Sequence, residues 1–154
     1  MGDVGTGKTH MASALVRLAC SRGVEARFFT AASLVSRLRR AKADGRLDRE
    51  LAQVARARMV VVDELGYLPL DADGARLLFQ VVSDSYETRS LVITTNLEFS
   101  RWATVFGDDQ MAAAVVDRIC HHGRLLQFRG ESYRVRHALM RGDSKAVTER
   151  LESE

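Results

Sequence analysis

The chain has only three lysines, one proline and two cysteines in 154 residues. With Cys20 and Cys120 far apart and no CxxC spacing, a disulfide framework and a cysteine metal cluster are both excluded; both thiols are expected to be reduced, buried small hydrophobes. "CHHG", which contains Cys120, His121 and His122, is read as no metal site, because adjacent residues on a helix point to different faces and no second ligand cluster stands elsewhere. No run of 18 apolar residues occurs, and no charged segment followed by an apolar stretch opens the chain. A membrane span and a secretory signal are thereby excluded, and a cytoplasmic location without a membrane partner is expected.

Apolar residues make up 46% and charged residues 28%, the balance of a chain that packs a core, and its length suits one domain. The net charge of +3 is unevenly spread. Between Ser36 and Arg58 stand eight basic residues (Arg37, Arg39, Arg40, Lys42, Arg46, Arg49, Arg56, Arg58) and three acids (Asp44, Asp48, Glu50). Such a segment is either a nucleic-acid face or a solvated helix surface, and charge alone does not separate the two.

Periodicity organises the rest. "THMASALVRLACSRG" puts Met11, Leu15, Leu18 and Ala19 on one helical face, with Gly23 as the stop. "VEARFFT" reads as a strand; "AASLVSRLRRAKADG" and "RLDRELAQVARA" read as helices. "MVVVDE" is an uninterrupted apolar run ending in two acids, which suits a strand buried on both faces of a parallel sheet. The lone Pro69 lies in an aperiodic stretch, "LGYLPLDADG", expected to be a loop. A helix over "GARLLFQVVSDSYETR", a second buried strand over "SLVITTN", helices over "RWATVF" and "DQMAAAVVDRICHH", and a last strand over "RLLQFRG" complete an alternating α/β pattern. The charged stretch after Met140 is expected to fray.

"MGDVGTGKTH" carries the chemistry. Gly2, Gly7, Lys8 and Thr9 satisfy G-x-x-x-x-G-K-[ST], and Gly5 adds another small residue where backbone amides wrap anionic oxygens. Lysine supplies a point charge for the β- and γ-phosphates, and the small hydroxyl suits Mg²⁺. One of so few lysines falls at the required place. Asp63 and Glu64 close the "MVVVDE" strand at the sheet end where α/β folds bind ligands. There Asp63 would hold the Mg²⁺ shell and Glu64 would orient or polarise the attacking water, which predicts hydrolysis. Asn96 ends "LVITTN" and can donate to the γ-phosphate or hold the water, although asparagine also caps helices and turns.

Together with "ELGYLPL", "FSRWATVFGD", "VVDRICHHG" and "GESYRVR", these stretches resemble the IstB transposition helper ATPases, members of the AAA+ superfamily beside DnaC and DnaA. The resemblance runs from Gly2 to about Arg136 and implies a three-layer P-loop fold with a mostly parallel sheet in the order 5-1-4-3-2. It implies ATP and Mg²⁺ as cofactors, held by Gly2, Val4, Gly5, Thr6, Gly7, Lys8, Thr9 and His10, with Arg134 as the second sensor and Arg136 as its substitute. Arg118 matches the arginine that such proteins insert into a neighbouring subunit's site, so hydrolysis would require a homo-oligomer. DNA, held through its phosphates without sequence readout by the segment from Arg37 to Arg46, and a transposase are the implied partners. The alternatives are a helicase loader resembling DnaC and an inactive remnant.

Two departures from the family pattern stand out. The apolar strand expected before the glycine loop, and a helical N-terminal region before it, do not stand ahead of Met1. The expectation is a core over residues 1–140 lacking its first strand, which belongs between "SLVITTN" and "RLLQF", followed by a charged tail over 141–154, from a truncated or mis-started reading frame. Asp3 replaces a common proline and adds a carboxylate near the phosphates.

Overall fold

The structure is a computed structural model and describes residues 1–136. The stretch after Met140 lies outside the described residues.

Three parallel strands form the sheet: β1 (Ala26–Thr30), β2 (Met59–Leu65) and β3 (Ser90–Thr95), in the order β1-β2-β3. The central strand is the apolar run, and Val60, Val61 and Val62 are fully buried, as a strand covered on both faces requires. Helices α1 (Lys8–Ser21), α2 (Ala31–Ala43), α3 (Leu47–Ala55) and α4 (Ala72–Ser85) alternate with them. Val60 and Val62 pack in one cluster with Leu34, Leu38, Leu78 and Val82 of α2 and α4; Val61, alternating to the other face, is outside that cluster, and there α1 covers the sheet. The result is three layers.

Three of the helices start where short polar side chains cap them. Thr30 accepts the Ser33 N–H at 3.1 Å and Asp71 accepts the Gly74 N–H at 2.9 Å. At α6 (Asp109–His122), Asp108 accepts the Met111 N–H at 2.7 Å. Each such cap stabilises its helix by about 1 kcal/mol. "RWATVF" forms a 3₁₀ turn (Phe99–Arg101) and the short α5 (Ala103–Phe106), with Trp102 buried between them.

Several expectations fail here. "RLLQFRG" forms no strand: only Phe128 makes a bridge, parallel to Gly2. The pairing is confined to that one residue pair, and residues 125–127 belong to no ladder among the described residues. The Met1 ammonium donates to the Leu126 carbonyl at 2.7 Å, the Phe128 N–H to Met1 O at 2.8 Å, and the Gly2 N–H to Thr95 O at 3.2 Å. Met1 and Gly2 therefore sit between β3 and residues 125–128, in the position the sequence assigned to a central strand. Beyond them runs an open groove of about 1370 Å³, lined by Met11, Leu15, Leu91, Ile93, Leu126 and Phe128 among others. That groove explains the second miss. Ala12 and Ala19 are buried, but Met11 and Leu18 of the expected apolar face of α1 are nearly half exposed. The cysteines are also exposed, Cys20 in the last turn of α1 and Cys120 in that of α6, and not buried as expected.

Candidate functional site

The glycine loop starts beside the end of β3, where the Gly2 N–H donates to Thr95 O, and leads into α1. A Cβ on Gly2 would lie 2.0 Å from the Phe128 carbonyl oxygen, and one on Gly5 would lie 1.9 Å from Ser132 Oγ, so both positions admit glycine alone in this arrangement. Gly7 is the N-cap of α1, and Lys8, Thr9 and His10 form its first turn. Val4 is exposed, and the Thr6 hydroxyl closes the loop onto Asp3 O at 2.7 Å. The first-turn amides and the α1 dipole face the loop's concave side, where anionic oxygens are favoured.

Lys8 folds across this loop and donates from Nζ to the carbonyls of Gly2 at 2.6 Å and Asp3 at 2.5 Å. Burial pulls its pKa below the ordinary 10.5, Arg134 pushes the same way, and Asp3 and Asp63 oppose. Arg134, in the short α7 (Tyr133–Arg136), is thus brought within electrostatic reach of the lysine, and the Tyr133 N–H anchors that turn on Gly5 O at 3.0 Å. The sequence left Arg134 and Arg136 open; Arg134 is the one that acts on Lys8.

Asp63 lies at the sheet end facing the loop and is 2% exposed. Its Oδ1 accepts the Thr9 hydroxyl at 3.1 Å, joining residues 54 positions apart, and also accepts the hydroxyl of Thr94. Two oxygen donors side by side at the loop's exit fit a hard divalent cation such as Mg²⁺. Glu64 is exposed and has φ 60°, a left-handed conformation that costs a residue with a Cβ about 1–2 kcal/mol. The β2–β3 ladder breaks register between Val62 and Leu65, and this bulge turns Glu64 outward. Asn96 follows the last residue of β3 and is exposed. The residue that sequence reasoning missed is Thr94, buried two positions before Asn96; its only signal was a hydroxyl directly after the apolar run over residues 91–93, shared with the adjacent Thr95.

Other candidates stand apart from the loop. Arg118 packs its guanidinium over the Phe79 ring at 5.2 Å and donates to Ala114 O at 2.8 Å, on the groove side of α6. In the basic segment, Arg37 pairs with Glu50, Arg39 with Asp71, Lys42 with Asp73 and Arg46 with Asp44. Among the described residues, Arg40, Arg49, Arg56 and Arg58 form no ion pair. The histidine reading is corrected in one respect: His121 and His122 do converge, with ring centroids 4.1 Å apart, because they close the last turn of α6 against Tyr86 and Glu87. A nitrogen of each ring is already bonded to protein, His121 to the Tyr86 hydroxyl and His122 to Glu87 at 3.0 Å.

The fold matches AAA+ P-loop proteins. A DnaC helicase loader crystal structure superposes with a TM-score of 0.72 at 26% identity, covering 83% of this chain and 75% of that one. A replication initiator DnaA bound to AMPPCP and single-stranded DNA shares the fold, with a TM-score of 0.71 at 17% identity over 84% of this chain and 39% of that one. The class is therefore a phosphate-loop nucleotide-binding protein. The chain belongs to the IstB-like ATP binding protein family, which matches residues 1–140. An insertion sequence IS5376 protein of Geobacillus stearothermophilus, named for ATP binding, is 40% identical over 136 residues, which are 88% of this chain and 54% of that protein. Its insertion sequence IS21 counterpart from Pseudomonas aeruginosa is 40% identical over 88% of this chain and 51% of its own length. The chain spans about half the length of these curated relatives. Among the described residues, no helix is long and apolar enough to cross a membrane.

Proposed function

We propose that this chain is the nucleotide-binding core of an insertion-sequence helper ATPase, cytoplasmic, that assembles on DNA and assists a transposase. The observation that carries the catalytic part is the Thr9–Asp63 hydrogen bond, which unites the glycine loop with the carboxylate strand. Insertion-sequence relatives at 40% identity support the biological context. ATP with Mg²⁺ supplies a phosphoryl group whose transfer to water is strongly downhill.

The chain's residues divide the labour. Gly2, Val4, Gly5, Thr6, Gly7 and His10 shape the phosphate cradle, and Lys8 and Arg134 offset negative charge in it. Thr9 and Asp63 hold the Mg²⁺. Glu64, turned to solvent by the bulge, orients a water and accepts its proton, while Asn96 approaches from the next strand tip. Arg118, held against Phe79 and Ala114 O on the groove side of α6, would act on a neighbour's site. Arg40, Arg49, Arg56 and Arg58, which form no ion pair among the described residues, would contact DNA phosphates without reading sequence.

The test is calorimetry with the full chain: ATP affinity should depend on Mg²⁺, and Glu64→Gln should keep that affinity while turnover falls at least a hundredfold. No Mg²⁺-dependent affinity in the unmodified chain would defeat the reading. The likeness to the DnaC loader favours a second reading, a helicase loader. Co-purification with a replicative helicase in place of a transposase would select it.

A further inference from the structure

We infer that the Thr94 hydroxyl is a positioning group that sets Asp63 and Glu64 together, through one oxygen. For its chemistry this rests on the ATPase reading above; for its geometry it rests on the fold alone. A hydroxyl has one proton to give and lone pairs to receive with. Thr94 uses both: it donates to Asp63 Oδ1 and accepts the Glu64 N–H at 3.0 Å. It is 7% exposed, so water is a poor substitute for either bond.

The bulge makes this arrangement consequential. Where β2 loses register with β3, the backbone of Glu64 turns left-handed, a conformation that its own side chain disfavours. The Glu64 carboxylate has no hydrogen bond or ion pair among the described residues, so its direction is set by the backbone that carries it. Thr94 pins that backbone through the N–H. The same oxygen holds the carboxylate that receives Thr9. The metal-holding pair and the water-facing acid are thereby coupled across a strand that sequence spacing treats as core.

Thr94→Val keeps shape and volume but removes the hydroxyl; Thr94→Ser keeps the hydroxyl. In the full chain without nucleotide, amide hydrogen exchange at Glu64, read by NMR, should rise at least tenfold in Thr94→Val and stay near the unmodified rate in Thr94→Ser. With Mg²⁺ and ATP, Thr94→Val should lose at least tenfold in kcat and need several-fold more Mg²⁺ for half-maximal turnover, with KM for ATP changed less than twofold; Thr94→Ser should retain both. Unchanged Glu64 exchange in Thr94→Val overturns the inference, whether or not the chain hydrolyses ATP. Equal losses in the valine and serine variants also overturn it, because packing and not the hydroxyl would then be responsible. If the valine variant fails to fold, Thr94→Ala compared with Thr94→Ser decides by the same measurements. An unmodified chain without turnover refutes the ATPase reading only, and the exchange comparison still decides the role of Thr94.

Discussion

Lys8 must keep its proton in a place where burial and Arg134 both work against it. Because its pKa in the free chain lies below 10.5, ATP affinity should begin to fall at a less alkaline pH than an ordinary lysine would give, since a neutral amine has to take up a proton on binding. Affinity measured from pH 8 upward, with Lys8→Arg as a control that does not titrate there, checks this. For stability the sign is opposite. The unfolded chain binds that proton more tightly, so the shift destabilises the fold below the lysine's folded pKa, and the cost fades as pH rises toward 10.5. At this scale the sequence was informative: Lys8, Thr9 and Asp63 could each be named from local pattern, because phosphate and Mg²⁺ chemistry demand those residue types at those spacings. Thr94 could not, because its importance lies in a contact with residues 30 and 31 positions away.

Among the elements, the groove between β3 and residues 125–128 leaves apolar side chains of two elements uncovered. Met11 and Leu15 of α1 face it, as do Leu91 and Ile93 of β3 and Leu126 beyond, an apolar lining that an extended segment would cover. Backbone bonds from Met1 and Gly2 to Leu126, Phe128 and Thr95 already set the direction and register of such a strand. A six-residue valine- and isoleucine-rich segment joined ahead of Met1 is expected to raise Tm by roughly 10 °C and to convert residues 125–128 into a paired strand. Thermal unfolding and the amide exchange of Leu126 and Phe128 would report the two effects. The same contacts explain which elements were legible. β2 shows itself as an apolar run because both its faces are covered, whereas β3, expected to be buried like it, is only half-buried where Leu91 and Ile93 line the groove, and "RLLQF" makes a single bridge at Phe128.

At the scale of the whole molecule, Arg118 is held against Phe79 and Ala114 and makes no hydrogen bond to its own chain's glycine loop among the described residues. Action on a neighbouring subunit predicts a specific mixing result. Arg118→Ala and Lys8→Ala should each be inactive alone, yet an equal mixture should recover about a quarter of unmodified turnover, because that fraction of random neighbours combines an intact lysine with an intact arginine. Turnover of the mixture no higher than that of either variant would place Arg118 outside the chemistry. The curated insertion-sequence relatives are about twice this length, and this chain covers 54% and 51% of two of them.

The sequence by itself determined the alternation of strands and helices, the glycine loop and the acidic strand tip, since periodicity and motif spacing are written locally along the chain. Tertiary structure alone decided that Thr94 joins Asp63 to Glu64, that Arg134 lies within electrostatic reach of Lys8, that the cysteines face solvent, and that an apolar groove lies beside β3. Each of those depends on what packs opposite a residue, and burial or pairing is a property of the partner as much as of the residue itself.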